Sequence, residues 1–233
     1  MHYKADFHIH SCLSPCASLE MSPEAIVRQA KTAGLNAIAI SDHNCGFNLP
    51  AFSKICARLG MECLFGMEVT SAEEAHILCL FDDLEKALLL SERVYESLPP
   101  ILNRPDRFGD QPIVDEQEEI LGFAEKFLIS ASTYDVASLL AEVHSLGGLC
   151  IPAHIDRQVY GIVAQLGFLP EEPFDAVELT PKGNPALARN YPIVRNSDSH
   201  RLETIGSAFT EFEIEALTID QIRSCLWEGK NFP

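Results

Sequence analysis

Six of the eight histidines in this chain stand beside carboxylates at the boundaries of strand-like runs. His8 and His10 fall at the end of the first run, ADFHI. Residues two apart on a strand share a face, so both imidazoles enter the same space. Asp42-His43 follow NAIAI, and Glu68 closes the next run within GMEVTS. His76 begins the one after, in EAHIL, and His154 follows LCIPA. Asp198 and His200, again two apart, follow IVRNS. Imidazole nitrogens and carboxylates suit Zn, Mn and Fe. The set exceeds what one ion needs, and a carboxylate such as Glu68 can bridge two, so two or three divalent metal ions are expected. Clustered ions of this kind activate a water and stabilise an oxyanion on phosphorus.

Plainer readings compete with each residue. A lone histidine near a strand end is more often packed or hydrogen-bonded, and H-x-H recurs by chance; the argument lies in the set. His76 starts its strand and can face away. His2, at the terminus, and His144, inside the helical stretch LAEVHSLGG, are read as structural.

The elements that must position these residues alternate between short apolar strands and amphipathic helices. Strands are expected at Ala5–Ile9, Asn36–Ile40, Glu62–Val69, Ala75–Phe81, Leu149–Pro152, Ala176–Leu179, Ile193–Asn196 and Ala208–Phe212. Ser22-Pro23 opens a helix that stops at Gly34, by capping and by proline at the first helical position. Further helices are expected over Pro50–Leu59, Asp83–Ser97 and Thr133–Leu146, with a last one opened by the capping box Thr218–Gln221. Repeated βα units imply parallel strands with right-handed crossovers. An open doubly wound sheet and a closed barrel both satisfy that rhythm. No G-x-G-x-x-G or P-loop pattern favours the open sheet. In a barrel the strand ends converge on one mouth. The rhythm breaks at about 99–125, a polar insertion with a hairpin around DEQEE, expected as a lid or an interaction surface.

Composition narrows the class. The chain has 233 residues, 47% hydrophobic and 22% charged, enough for one sizeable core in a single domain over 1–233. No apolar run is long enough to span a bilayer. The start, MHYKADFHIH, lacks the apolar segment of a secretory signal. Seventeen basic against 34 acidic residues give a net charge of −17. Such a field repels nucleic acid and anionic membranes, so an extended nucleic-acid footprint and a membrane partner are not expected. Eight cysteines without a C-x-x-C pattern read as free thiols of a cytoplasmic protein. Sequence gives no oligomeric state.

D-F-H-I-H-S, S-D-H, G-M-E-V-T, H-I-L, P-A-H-I-D and S-D-S-H, in this order from residue 6 to 200, resemble the PHP (polymerase and histidinol phosphatase) superfamily. The resemblance implies an α/β fold, a distorted seven-stranded (β/α) TIM-like barrel, with a trinuclear site that hydrolyses phosphoester bonds. By motif position it implies that His8, His10, Glu68 and Asp198 hold a first ion. Glu68, His76 and His154 would hold a second, and His43 and His200 a third. Family members place an Asp or His five or six residues after the second His of H-x-H. Here those positions are Pro15 and Cys16. A Cys16 thiolate would favour Zn or Fe over Mn; the alternative is a small apolar loop residue.

Phosphate also needs positive charge. Arg157, three residues after His154, is the preferred substrate contact, with Lys182 and Arg201 as weaker ones. Arg195 is read as structural. The expected activity is hydrolysis of a small phosphomonoester by a metal-activated water. Asp198, His154 and His200 would act in catalysis, either histidine protonating the leaving group. The alternatives are a phosphodiesterase or nuclease of the same superfamily, an amidohydrolase-type barrel, and a metal-binding regulatory domain without turnover.

Overall fold

β1 (His2–Ile9), β2 (Ala37–Ile40) and β3 (Glu62–Thr70) are parallel and joined by helices α1 (Pro23–Thr32) and α2 (Leu49–Leu59). The structure is a computed structural model and describes residues 1–228. Ser22 caps α1 by accepting from Ala25 N, with Pro23 at the first helical position. Gly60 ends α2 in the left-handed conformation, φ +64°.

The expectation of parallel strands throughout is corrected at Thr210–Glu213, which runs antiparallel to β1, and at β4 (His76–Phe81), which runs antiparallel to β3. Only Ser71–Ala75 separates the two strands. A parallel return needs a crossover of about a dozen residues or more, so this loop permits only a hairpin. Helix α3 (Leu84–Ser97), capped by Asp83, leads to the short helix α4 (Pro105–Phe108) and then to the expected hairpin, β5 (Pro112–Val114) and β6 (Ile120–Phe123). Helix α5 (Val136–Ser145) returns the chain to β7 (Leu149–Pro152), antiparallel to β4. Helix α6 (Ile162–Leu166), β8 (Val177–Glu178), β9 (Ile193–Val194), β10 (Thr210–Glu213) and α7 (Ile219–Glu228) complete the described chain. No helix among the described residues is long and apolar enough to cross a membrane.

The main sheet has six strands in the order β10-β1-β2-β3-β4-β7 and curls as a half-barrel. β8 and β9 form a separate parallel pair. A few isolated hydrogen bonds tie the segments around that pair to the sheet's flanks. On one side Asp175 N donates to Cys150 O (3.1 Å) and Ile155 N to Glu178 O (2.9 Å). On the other, beyond β9, His10 N donates to Ser199 O at 2.9 Å and Ser199 N to His8 O at 3.2 Å, an isolated parallel bridge. A regular ladder of seven strands is therefore not formed among the described residues, although the curl suits a PHP-type barrel.

Two apolar layers flank the sheet. Ile38, Ile40, Phe65, Met67 and Cys79 pack with Ile26, Phe52 and Leu90 of the helices. Ala37, Ala39, Leu64, Leu78 and Ile151 fill the inside with Phe7, Phe212 and Ile222. β1 carries a bulge, since Asp6–Ile9 spans one step more than its partners Ile38–Ile40. The extra residue lets Phe7 join the inner apolar layer while His8, the next residue, also turns inward.

The insertion packs against the loops that follow β1 and β2. Ala124 and Leu128 share a cluster with Leu13 and Cys45. Asn48 precedes α2 but does not cap it; its side chain donates to Pro112 O and accepts from Val114 N at 3.0 Å.

Candidate metal centre

Glu68 lies at the inner end of β3, 1% exposed. Its Oε1 is 3.3 Å from His8 Nε2, 2.9 Å from His76 Nδ1 and 3.0 Å from His154 Nε2. Its Oε2 is 3.3 Å from His10 Nε2 and 3.1 Å from His43 Nδ1. Asp198 Oδ1 sits 3.3 Å from His8 Nε2 and 3.1 Å from His10 Nε2. His200 Nδ1 is 2.9 Å from the Asp198 carbonyl oxygen. His76 faces this cluster because β4 is antiparallel: its first residue pairs with Thr70, at the end of β3. His154 and Asp198 take positive φ, 30° and 49°. Such backbone is strained for a residue with a Cβ and is typically kept at functional sites.

The charges polarise one another. Burial opposes ionisation of Glu68, yet the imidazoles of His76, His8 and His43 hold its carboxyl well below the usual range. Burial also opposes protonation of His10, which Asp198 and Glu68 nevertheless lift to about 9. His43 goes the other way, since burial outweighs the pull of Glu68. Burial, then the neighbouring His10, brings His200 down to about 4.

The donor set fits divalent cations. His8 Nε2, His43 Nδ1, His76 Nε2 and His154 Nδ1 are buried ring nitrogens without a hydrogen-bond partner, and buried polar atoms normally have one. Three groups bring candidate ligand atoms within 4.8 Å of one another: His8, His10, Glu68 and Asp198; His43, Glu68 and His76; and His10, Cys16, His43 and His200. The first group has the membership expected for a first ion. The third joins Cys16 to His43 and His200, with His10 added. His154 stands outside the second group and reaches it through Glu68.

The basic residues separate. Arg157 lines a small recess over the cluster, about 190 Å³, with Cys16, Ile129 and Tyr160, and its Nη1 is 2.5 Å from Asp198 Oδ2. Arg201 lines an adjoining cleft of about 400 Å³ with His200, Cys16, Glu20 and Glu203. Lys182 is exposed and lines neither. It lies in a loop whose Thr180 and Gly183 carbonyls are held by Arg195, so Arg195 is structural as expected. His2 pairs with Glu213, and His144 with Asp175.

Two buried carboxylates stand behind the histidines: Asp42, noted in sequence only as the neighbour of His43, and Glu178, which sequence reasoning missed. Asp42 accepts from Ser11 Oγ and Ser14 Oγ, and Ser14 Oγ lies 3.1 Å from His10 Nδ1. Glu178 lies against His8 Nδ1. A charged residue within each apolar strand end was the available signal. Tyr160, stacked on His76 with ring centroids 4.3 Å apart, was missed as well and carries no comparable signal.

The model of the PHP domain matches residues 6–165, most of the chain and seven of the nine expected ligands, with Asp198 and His200 lying beyond it. The chain belongs to the PHP domain family. A second model, described as PHP-associated, matches residues 186–231. Comparison with curated proteins returns no significant match. Among solved structures, the lesion-specific endonuclease Q of Pyrococcus furiosus is 19% identical, with a TM-score of 0.71 over 99% of this chain and 57% of that one. An endonuclease Q complex with a 27-mer duplex bearing an abasic lesion is also 19% identical, with a TM-score of 0.74 over 99% and 58%. This PHP chain thus spans a little over half the length of those two structures. A Bifidobacterium adolescentis protein described as a metal-dependent phosphoesterase is 17% identical, with a TM-score of 0.61 over 98% and 97% of the two chains. At these identities the likeness is one of fold.

Proposed function

We propose that this PHP domain is a metal-dependent hydrolase of phosphoester bonds, acting on a small phosphomonoester at a site of two or three divalent ions, Zn, Mn or Fe. The observation that carries this reading is Glu68: one buried carboxylate contacted by five imidazoles, with Asp198 beside it. His8, His10, Glu68 and Asp198 would hold one ion. Glu68 and His76, with His43 or His154, would hold a second, and Cys16, His43 and His200 a third. Bound there, divalent cations lower the pKa of a water and neutralise charge on phosphoryl oxygens.

The chain's own groups do the rest. Arg157 offers a fork of donors to the phosphoryl oxygens once Asp198 is engaged elsewhere. Ile129 and Tyr160 narrow the recess around the substrate. His200, near 4, offers a lone pair and no proton at neutral pH. This assigns the leaving group's proton to solvent at the mouth, in place of the role expected of His200. His154 is buried with Nε2 on Glu68 and is assigned to the ions.

A second reading, cleavage of a phosphodiester in nucleic acid, is supported by the likeness to endonuclease Q. The net charge of −17 and the glutamates beside Arg201 favour the small substrate. The deciding experiment is phosphate release by protein reconstituted with Mn or Zn. The panel holds phosphomonoesters, 3′,5′-bisphosphates, a chromogenic diester and an abasic duplex, with Asp198→Ala as control. Turnover of a monoester, lost in the control, supports the first reading. Turnover of the diester or duplex alone transfers the assignment to the second. No turnover by a metal-loaded chain contradicts both and leaves the regulatory domain.

A further inference from the structure

Glu178, at the end of β8, is 2% exposed and belongs to none of the three ligand groups. Its two carboxylate oxygens lie 3.1 and 3.0 Å from His8 Nδ1. Oε2 also accepts the backbone N–H of His154 at 2.9 Å, and Oε1 accepts Asn196 Nδ2 at 2.8 Å. Asn196 is itself fixed, because its Oδ1 accepts the backbone N–H of Phe7 at 2.8 Å. One side chain therefore touches the His8 ring and the strained His154 turn. Through Asn196 it also reaches the bulged strand just before His8.

We propose that Glu178 is a positioning residue for the metal centre. It accepts the Nδ1 proton of His8, so that Nε2 is the nitrogen left for a cation, and it holds the His154 turn beside it. This rests on the reading of the Glu68 cluster as a metal site. The partner of one ring nitrogen decides which nitrogen ligates, and a carboxylate in that place also raises ligand basicity. His8 Nε2 points to Glu68 Oε1 and Asp198 Oδ1, 3.3 Å from each, and has no hydrogen-bond partner of its own.

The position demands two acceptors. Three donors converge on the two oxygens, from His8, His154 and Asn196. Glutamine offers one oxygen and one amino group. In either orientation its amino group faces a donor, His154 N–H or Asn196 Nδ2. Asn196 cannot turn over to relieve this without abandoning Phe7 N–H.

The test measures zinc affinity by chelator competition for wild type, Glu178→Gln and Glu178→Asp. Nitrogen NMR of the His8 ring in zinc-loaded wild type runs beside it. Glu178→Gln is expected to weaken zinc binding about tenfold to a hundredfold, while the metal-free chain keeps its melting temperature within a few degrees. Glu178→Asp recovers part of the loss. In a His8→Ala background the glutamine substitution costs much less, because the two act together. In wild type, His8 carries its proton on Nδ1. Unchanged affinity in Glu178→Gln, or a His8 proton on Nε2, overturns the proposal. The NMR result uses wild type and holds even if a variant fails to fold. Wild type that binds no zinc, or binds it undiminished after Asp198→Ala, overturns the metal reading and this proposal together.

Discussion

Arg157 and Asp198 form an ion pair at the mouth of the recess, with Nη1 2.5 Å from Oδ2, while the other oxygen of Asp198 faces His8 and His10. The aspartate is thus shared between a guanidinium on the open side and two imidazoles within. A cation taken up by Asp198 weakens the hold on Arg157 and releases it toward a phosphoryl group. Arg157→Ala is therefore expected to raise KM for a phosphoester about tenfold to a hundredfold, the range for a lost charge-assisted contact. Bound metal per chain stays unchanged. Steady-state kinetics beside metal analysis checks this; metal lost with KM unmoved contradicts it.

Cys16 sits where family members carry an Asp or His, with its Sγ within 4.8 Å of ligand atoms of His10, His43 and His200. The residue is exposed at the mouth, yet the protein packed around its sulfur, then Glu68, raises its thiol, so without a cation it stays protonated at neutral pH. A bound cation would displace that proton. Cys16→Asp is expected to shift preference from Zn toward Mn, since a carboxylate is the harder ligand. Competitive loading with equal Zn and Mn, read by elemental analysis, should show the ratio move at one ion per chain. An unmoved ratio removes Cys16 from the ligands.

Gly161 follows the turn that carries His154, Arg157 and Tyr160. A Cβ there would stand 2.3 Å from the Arg157 carbonyl oxygen and 3.1 Å from that of His154. Backbone oxygens cannot turn aside as a side chain can. Gly161→Ala is expected to cost about 1–3 kcal/mol by overpacking and to lower kcat/KM, because the turn must shift. Thermal melting and kinetics on the same preparation check both. Full activity at an unchanged melting temperature contradicts the packing account.

The histidines were legible in sequence because strand periodicity fixes direction: His8 and His10, two apart, had to share a space. The direction of β4 was not read, and with it the facing of His76. Loop length held that information, since five residues between Val69–Thr70 and His76 allow only a hairpin. The β1 bulge was hidden for a different reason. An extra residue in a ladder is defined by the partner strand, and no local pattern announces it. Glu178 was missed because it meets His8 across strands distant in sequence, and the role of Asp42 was not read because it reaches His10 only through Ser14. Lys182 looked like Arg157 by position, but the loop that carries it turns it to solvent.

The most direct test of the central claim is the number of divalent ions held by Glu68. Metal-free wild type and Glu68→Ala are reconstituted with Mn or Zn, and bound ions per chain are counted by elemental analysis after gel filtration. Both proteins are also assayed for phosphate release. Glu68 lies in two of the three ligand groups and contacts five imidazoles. Wild type should hold two or three ions, and the variant should lose two together with its turnover. A variant that keeps every ion, or loses only one while turnover persists, contradicts the bridging role and with it this account of the site.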